Sequence, residues 1–252
     1  MAKISGLVVA HNEETHLENC LQTLCFVDEL VVVLDKCTDN SKAIAQKFTK
    51  HIHEGSWDLE CDRRNFGLSK CSSDWVIELD ADERVPETLG QEICQVVKTS
   101  TADYHPIKVD NYIGQKLVRY GWGAYIGKSK TMCLSRAGKK EWGDGYVHPS
   151  VHLTGTEGHI LQTPLDHYVD DNFSDLVLRF NGYTSANAKS LVEQNKIASL
   201  ASDFRRIFTR FFKCFVMRKG YKEGGHGFIV AVFAGLYPFM SNLKARYDLK
   251  QG

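Results

Sequence analysis

The chain has 252 residues, 43% of them hydrophobic, with 31 Lys and Arg against 31 Asp and Glu. That length and balance exclude a disulfide- or metal-stapled mini-scaffold and a disordered chain, and suit one α/β domain or two small ones. The zero net charge conceals a division: residues 203–252 carry ten basic and three acidic side chains, residues 1–202 twenty-one and twenty-eight. Such asymmetry points to one segment facing an anionic surface.

The first half alternates apolar runs with helical periodicity, the pattern of βαβ units and a mainly parallel sheet. Ile4–Ala10 reads as the first strand, and Asn12 stands where a helix N-cap belongs, with Leu17, Leu21 and Leu24 on one face of the helix that follows. Leu30–Leu34 reads as a strand buried on both faces, followed by the polar loop Asp35–Asp39 and a helix over Ser41–Phe48. A third unit has a short strand from Ile52, a helix over Cys61–Lys70 and a strand Trp75–Leu79 that ends in Asp80-Ala81-Asp82-Glu83. Pro86 can open a helix that ends near Val97, since proline is tolerated in a first turn.

Beyond residue 103 short β-like pieces (Ile107–Ile113, Met132–Ser135) alternate with Gly- and Trp-rich loops, and a polar helix is expected from Ser174 to Ser202. The eight cysteines show no C-x-x-C pair and read as reduced core residues. Met1 to Ile4 runs straight into the first strand pattern with no export signal, so a cytoplasmic location is expected.

Ligands of open α/β sheets bind outside the carboxyl ends of the strands. Three polar loops lie there: Ala10 to Glu14, Asp35 to Asp39, and Asp80 to Asp82. No Gly-rich phosphate fingerprint follows any strand, so backbone amides are not the expected phosphate clamp. Two carboxylates one residue apart suggest a hard divalent cation, Mg²⁺ or Mn²⁺, shared with a ligand diphosphate.

Val8-Val9-Ala10-His11-Asn12-Glu13-Glu14, Asp28 to Val33 with Asp35 and Thr38-Asp39, Arg64-Asn65, and Trp75 to Glu83 together resemble the family 2 glycosyltransferases, and within them the lipopolysaccharide-core β-glucosyltransferase branch. The resemblance runs in order over residues 4–90 and more loosely to about residue 170 through Trp122, Arg136, Val147-His148 and His167-Tyr168. It implies an α/β GT-A fold, a Rossmann-like sheet flanked by helices, with a nucleotide-diphosphate sugar donor (UDP-linked most often), a divalent metal and inversion at the anomeric carbon. Position by position, it implies that Ala10, Asn12 and Glu13 form the first nucleotide-binding loop and that Asp35 contacts the uracil. Asp80 matches the acid facing the ribose or diphosphate, Asp82 the metal ligand, and Arg64 a basic residue near the nucleotide. The branch's His-Glu pair is His148-Pro149 here, and Lys36 replaces a small residue of the second loop. The acceptor hydroxyl needs a base, for which Asp144 and His148 in the Gly-rich loop after Trp142 are the candidates.

Between Asp203 and Lys222, seven basic residues interleave with Phe204, Phe208, Phe211, Phe212 and Phe215 at three- and four-residue steps. That pattern suits an interfacial helix on an anionic membrane, and no nucleic-acid module accompanies it. Gly224–Leu243 is uncharged and near spanning length, but His226 and Pro238 favour a re-entrant or docked hairpin over a span. The expected organisation is therefore residues 1–202 as the GT-A domain, with a donor half over 1–100 and an acceptor half over 101–202. Residues 203–252 form a membrane-associating segment, and 203–243 meet the inner face of the cytoplasmic membrane, where a lipid-linked or glycolipid acceptor resides. Two other chemistries stay open: sugar transfer to polyprenyl phosphate, and a D-x-D phosphohydrolase with Asp80 as nucleophile. A non-catalytic membrane-binding module, with no affinity for nucleotides, is the remaining reading.

Overall fold

The computed structural model describes residues 2–122, 127–143 and 150–248. By internal contacts they form two compact units, residues 1–109 with 129–167 and residues 110–128 with 168–252. The helix that begins at Phe173 packs on the C-terminal helix and belongs to the second unit.

The first unit is α/β. Strands β1 (Ile4–Ala10), β2 (Glu29–Asp35), β3 (His51–Gly55) and β4 (Trp75–Asp80) run parallel in the order β3-β2-β1-β4. Every residue of β1 is buried, as expected of a central strand covered on both faces. Helices α1 (Leu17–Gln22), α2 (Ser41–Ala45), α3 (Glu60–Lys70) and α4 (Glu87–Thr99) are the connections, with Pro86 at the N-cap of α4. The sheet continues through β8 (Lys130–Arg136), antiparallel to β4, then β6 (Tyr104–Ile113), β11 (Leu161–Asp170) and the two-residue β5 (Glu83–Arg84). A separate ribbon pairs β9 (Lys140–Trp142) with β10 (Val151–Leu153). The main core gathers Trp75, Ile77, Leu79, Leu89 and Ile93 with Val8, Leu17 and Leu21.

Asn12 does not cap α1. It takes a left-handed conformation (φ 55°), and α1 starts five residues later after a turn whose first bond is His16 N–H to Glu13 C=O. Asparagine tolerates that region because its short side chain bonds locally, and here the second loop supplies the partner.

The second unit contains the short strand β7 (Lys116–Val118), paired with the end of β6, and three helices: α5 (Phe173–Glu193), α6 (Leu200–Phe212) and α7 (Gly225–Tyr247). The single polar helix expected over 174–202 is broken after Gln194, where Asn195 turns left-handed (φ 51°) and Ser199 then caps α6. The hairpin expected over Gly224–Leu243 is instead one helix with Pro238 inside it. Tertiary packing overrides the local signal, since α7 is braced on α5 by the stacked pair Phe180 and Phe233 and by Lys244 bonds to Asn181, Thr184 and Ser185. Against α6 the backbones approach so closely that a Cβ at Gly235 would meet Ile207 O at 2.7 Å. Among the described residues α7 alone is long and apolar enough to cross a membrane, yet nearly half of its most apolar stretch is buried in the protein. All eight cysteines are free thiols, with Cys20, Cys61, Cys133 and Cys214 buried and Cys25 exposed.

Candidate active site

The register of β1, β2 and β4 brings Ala10, Asp35 and Asp80 to one edge of the sheet, since Ala10 pairs with Leu34 and Val9 with Asp80. The first two loops are laced together there. Asn12 Oδ1 accepts bonds from the Thr38 amide (2.7 Å) and hydroxyl (3.3 Å), the Glu13 amide donates to Ser41 Oγ, and the Glu14 amide donates to Asp39. Asp39 also receives the Ser41 amide, and these bonds outweigh desolvation to hold its carboxyl below the ordinary range. Ala10, Asn12 and Glu13 thus belong to one loop whose shape the second loop dictates.

Asp35 is 6% exposed. One of its oxygens accepts the Trp57 amide at 3.0 Å, and the other meets Arg63 Nη1 at 3.0 Å. Lys36, left-handed at φ 51°, turns its ammonium to the Trp57 carbonyl and to Asp58.

Arg64 is the hub of the third loop. Its guanidinium reaches Glu60 (2.8 Å), Glu78 (2.9 Å) and Asp80 Oδ1 (2.6 Å), and its plane lies 4.5 Å from the Trp142 ring centroid. Helical periodicity explains the first contact, i to i+4 on α3, and the alternation of β4 puts Glu78 and Asp80 on the same face. Glu78 is 3% exposed and also meets Lys140 Nζ at 2.7 Å and the Trp142 indole N–H. Burial alone would raise its carboxyl, but Lys140 and Arg64 outweigh that and hold it below the ordinary carboxylate range. Burial likewise opposes the Arg64 charge, and Asp80, Glu78 and Glu60 restore it and raise its pKa well above the ordinary value.

Asp82 lies two residues on, with one carboxylate oxygen 3.6 Å from His167 Nε2. β5 arranges this meeting, because Glu83 pairs with His167 and Arg84 with Asp166 on β11. Among the described residues no group of three or more His, Cys, Asp and Glu side chains forms a metal cage. The donor set fits a hard cation that takes one or two carboxylates from the protein and the rest of its oxygens from diphosphate and water, and does not fit an all-protein site.

Strand β9 is docked on the same cluster by Asn65, whose side-chain amide bonds both the N–H and the C=O of Trp142 at 2.8 Å. The base candidates Asp144 and His148 follow this strand and lie outside the described residues. The sequence reading missed Glu78, Arg63, Lys140 and Asn65 as parts of the site. For Glu78 the signal was available, since a carboxylate inside a buried apolar strand requires a cation.

A family model described as Glycosyl transferase family 2 matches residues 5–131. An uncharacterized glycosyltransferase of Rickettsia felis is 25% identical over 99% of this chain and 91% of its own length. A Rhizobium meliloti protein named lipopolysaccharide core biosynthesis glycosyltransferase LpsC is 25% identical, covering 98% of this chain and 94% of that protein. Among solved structures, TarS 1–349 of S. aureus aligns over 99% of this chain and 92% of its own at 13% identity, with a TM-score of 0.49.

Proposed function

The chain belongs to glycosyl transferase family 2 and is a glycosyltransferase with an α/β sheet domain, and from that premise we propose that it is of GT-A type and moves a sugar, with inversion, from a UDP-linked donor to a glycolipid acceptor. The observation that carries this reading is the convergence of Ala10, Asp35 and Asp80, with Asp82 beyond them, at one edge of the parallel sheet. Lipopolysaccharide core is the acceptor class suggested by the name of the Rhizobium relative.

In this reading Asp82 holds the divalent cation, Mg²⁺ or Mn²⁺, with Asp80 alongside it at the ribose or diphosphate. When bound, the cation acts as a Lewis acid that stabilises the departing diphosphate without proton transfer. Asn12, with Ala10 and Glu13, shapes the wall of the nucleotide pocket, and Asp35 faces the base while Trp57 and Arg63 fix its carboxylate. Arg64 orients Asp80 and supplies positive charge beside the diphosphate. Asp144 or His148 removes the proton of the acceptor hydroxyl. Residues 203–243 hold the enzyme on the inner face of the cytoplasmic membrane, where the acceptor is embedded; the exposed Phe204, Phe208 and Phe212 support that role.

The test is thermal stabilisation by UDP-, GDP- and CMP-sugars with and without Mn²⁺ or Mg²⁺. A UDP-sugar should stabilise the protein in a metal-dependent way that Asp82→Ala abolishes. Phosphate release from sugar phosphates in the absence of any acceptor would replace this reading with that of a phosphohydrolase.

A further inference from the structure

The second unit carries a cleft of about 290 Å³ lined by Arg210, Lys213, Cys214, Arg218 and Ala234. We propose that this cleft binds the phosphate of an anionic lipid headgroup, which deepens the membrane attachment proposed above and rests on it.

Among the described residues three cations line the cleft and no carboxylate does. From residue 204 to residue 222 the chain contains seven basic side chains and no acid. The flanking acids are engaged elsewhere: buried Asp203 bonds Asn242 and Arg206, and Glu223 accepts the amides of Arg119 and Tyr120. Arg210 and Lys213 form no ion pair with a described carboxylate, and Arg218 is fixed by donation to the Trp122 carbonyl.

The backbone builds the convergence. Directly after α6, Lys213–Met217 forms one wide π turn, closed by the Arg218 amide on the Lys213 carbonyl at 2.9 Å. Such turns occur often at functional sites, because they re-aim side chains that a regular helix would spread. All three cations act on the thiol of Cys214 at the centre, which burial pushes up and they pull down. Like charges held together without an anion repel one another, and a phosphate relieves this with charge-assisted, partly bidentate bonds.

The surroundings select a lipid over a soluble anion. Exposed apolar side chains occur along the same segment, with Phe208 62% and Met217 67% accessible, joined by Phe204, Phe212 and Val216. Aromatic rings at the acyl boundary with cations at the headgroups describe an interfacial element, and a free anion needs no such rings.

The experiment compares the full chain with two doubly neutralised variants, Arg210→Gln/Lys213→Gln in the cleft and Arg205→Gln/Lys222→Gln outside it. Flotation is measured with phosphatidylcholine vesicles with and without phosphatidylglycerol, after melting curves establish that both variants fold. The cleft pair should weaken binding to phosphatidylglycerol vesicles by at least ~10-fold, and the outer pair far less. Dihexanoyl phosphatidylglycerol should stabilise the wild type against heat but not the cleft variant. Equal losses in both variants would reduce the effect to diffuse charge and overturn the site. Equal stabilisation by inorganic phosphate would assign the cleft to a free anion and overturn the lipid. Wild-type protein that floats with no vesicle would overturn the membrane reading as well, whereas unimpaired flotation of the cleft variant overturns the cleft alone.

Discussion

Arg64 Nη2 stands 2.6 Å from Asp80 Oδ1, so the first acid of the D-x-D turn is held by a guanidinium that Glu60, Glu78 and the Trp142 ring also grip. Only a planar fork can serve three carboxylates and stack on an indole at once. Removing it with Arg64→Met leaves buried Glu78 with Lys140 as its one remaining cation among the described residues, and the expected cost is about 3 kcal/mol of stability. Arg64→Lys should fall between, because a point charge replaces the fork. Urea unfolding of the three proteins reads this directly, and coincident midpoints would refute the hub.

Asn12 couples two properties, a left-handed backbone and a side-chain oxygen that accepts two hydrogen bonds from Thr38. Asn12→Gly keeps the backbone freedom but loses the bonds, while Asn12→Ala loses both. The alanine variant should therefore be the less stable by about 1 kcal/mol. With Asn12 in the proposed donor-binding loop, its KM for the donor should rise more than its kcat falls. The reverse pattern would place Asn12 in the chemistry.

Gly235 marks a close approach of α6 and α7, where an added Cβ would press on the Ile207 carbonyl. Backbone cannot retreat as a side chain can, so Gly235→Ala should cost about 1–3 kcal/mol despite its better helix propensity. Thermal melting decides between overpacking and propensity, and a raised Tm would favour propensity.

His105 is 1% exposed between the Ser100 hydroxyl and the His159 carbonyl, and burial lowers its pKa below the ordinary value of 6.5. The bond to the His159 carbonyl offsets part of this by favouring the protonated ring, and the His159 side chain opposes that charge. The unfolded chain therefore binds this proton more readily than the folded one, so stability is complete above pH 6.5 and declines as pH falls below it. His53 and His226 are shifted the same way and add to the slope. His105→Gln should flatten the decline between pH 6.5 and 5 without abolishing it, and an unchanged slope would exclude His105 as a contributor.

The central strands and the three polar loops were legible because period, length and turn chemistry agree there. β1 falls at the expected residues, and β2 and β4 within a residue of the expected ends. The D-x-D turn stands at a strand end, as the abrupt change from Ile-Glu-Leu to acid indicated. What escaped was every feature that depends on a distant partner. Asn12 looks like an N-cap until Thr38 is placed against it, and Gly224–Leu243 looks like a broken hairpin until α5 and α6 pack on α7, in which Pro238 is buried. Arg64 carries no sign in its own neighbourhood that it will meet Glu78 fourteen residues away, on a strand rather than a helix.

The sequence by itself determined the alternation of the first four strands with their helices, the acidic motif and the unequal distribution of charge, because these follow from local pattern and composition. Tertiary structure alone decided which charges neutralise one another. In the first unit Asp35, Glu78, Asp80 and Asp82 each find a cation or imidazole, whereas in the second Arg210 and Lys213 find no described carboxylate. A net charge of zero is a sum over the chain, but electrostatic energy depends on separation and burial, and only the fold sets those.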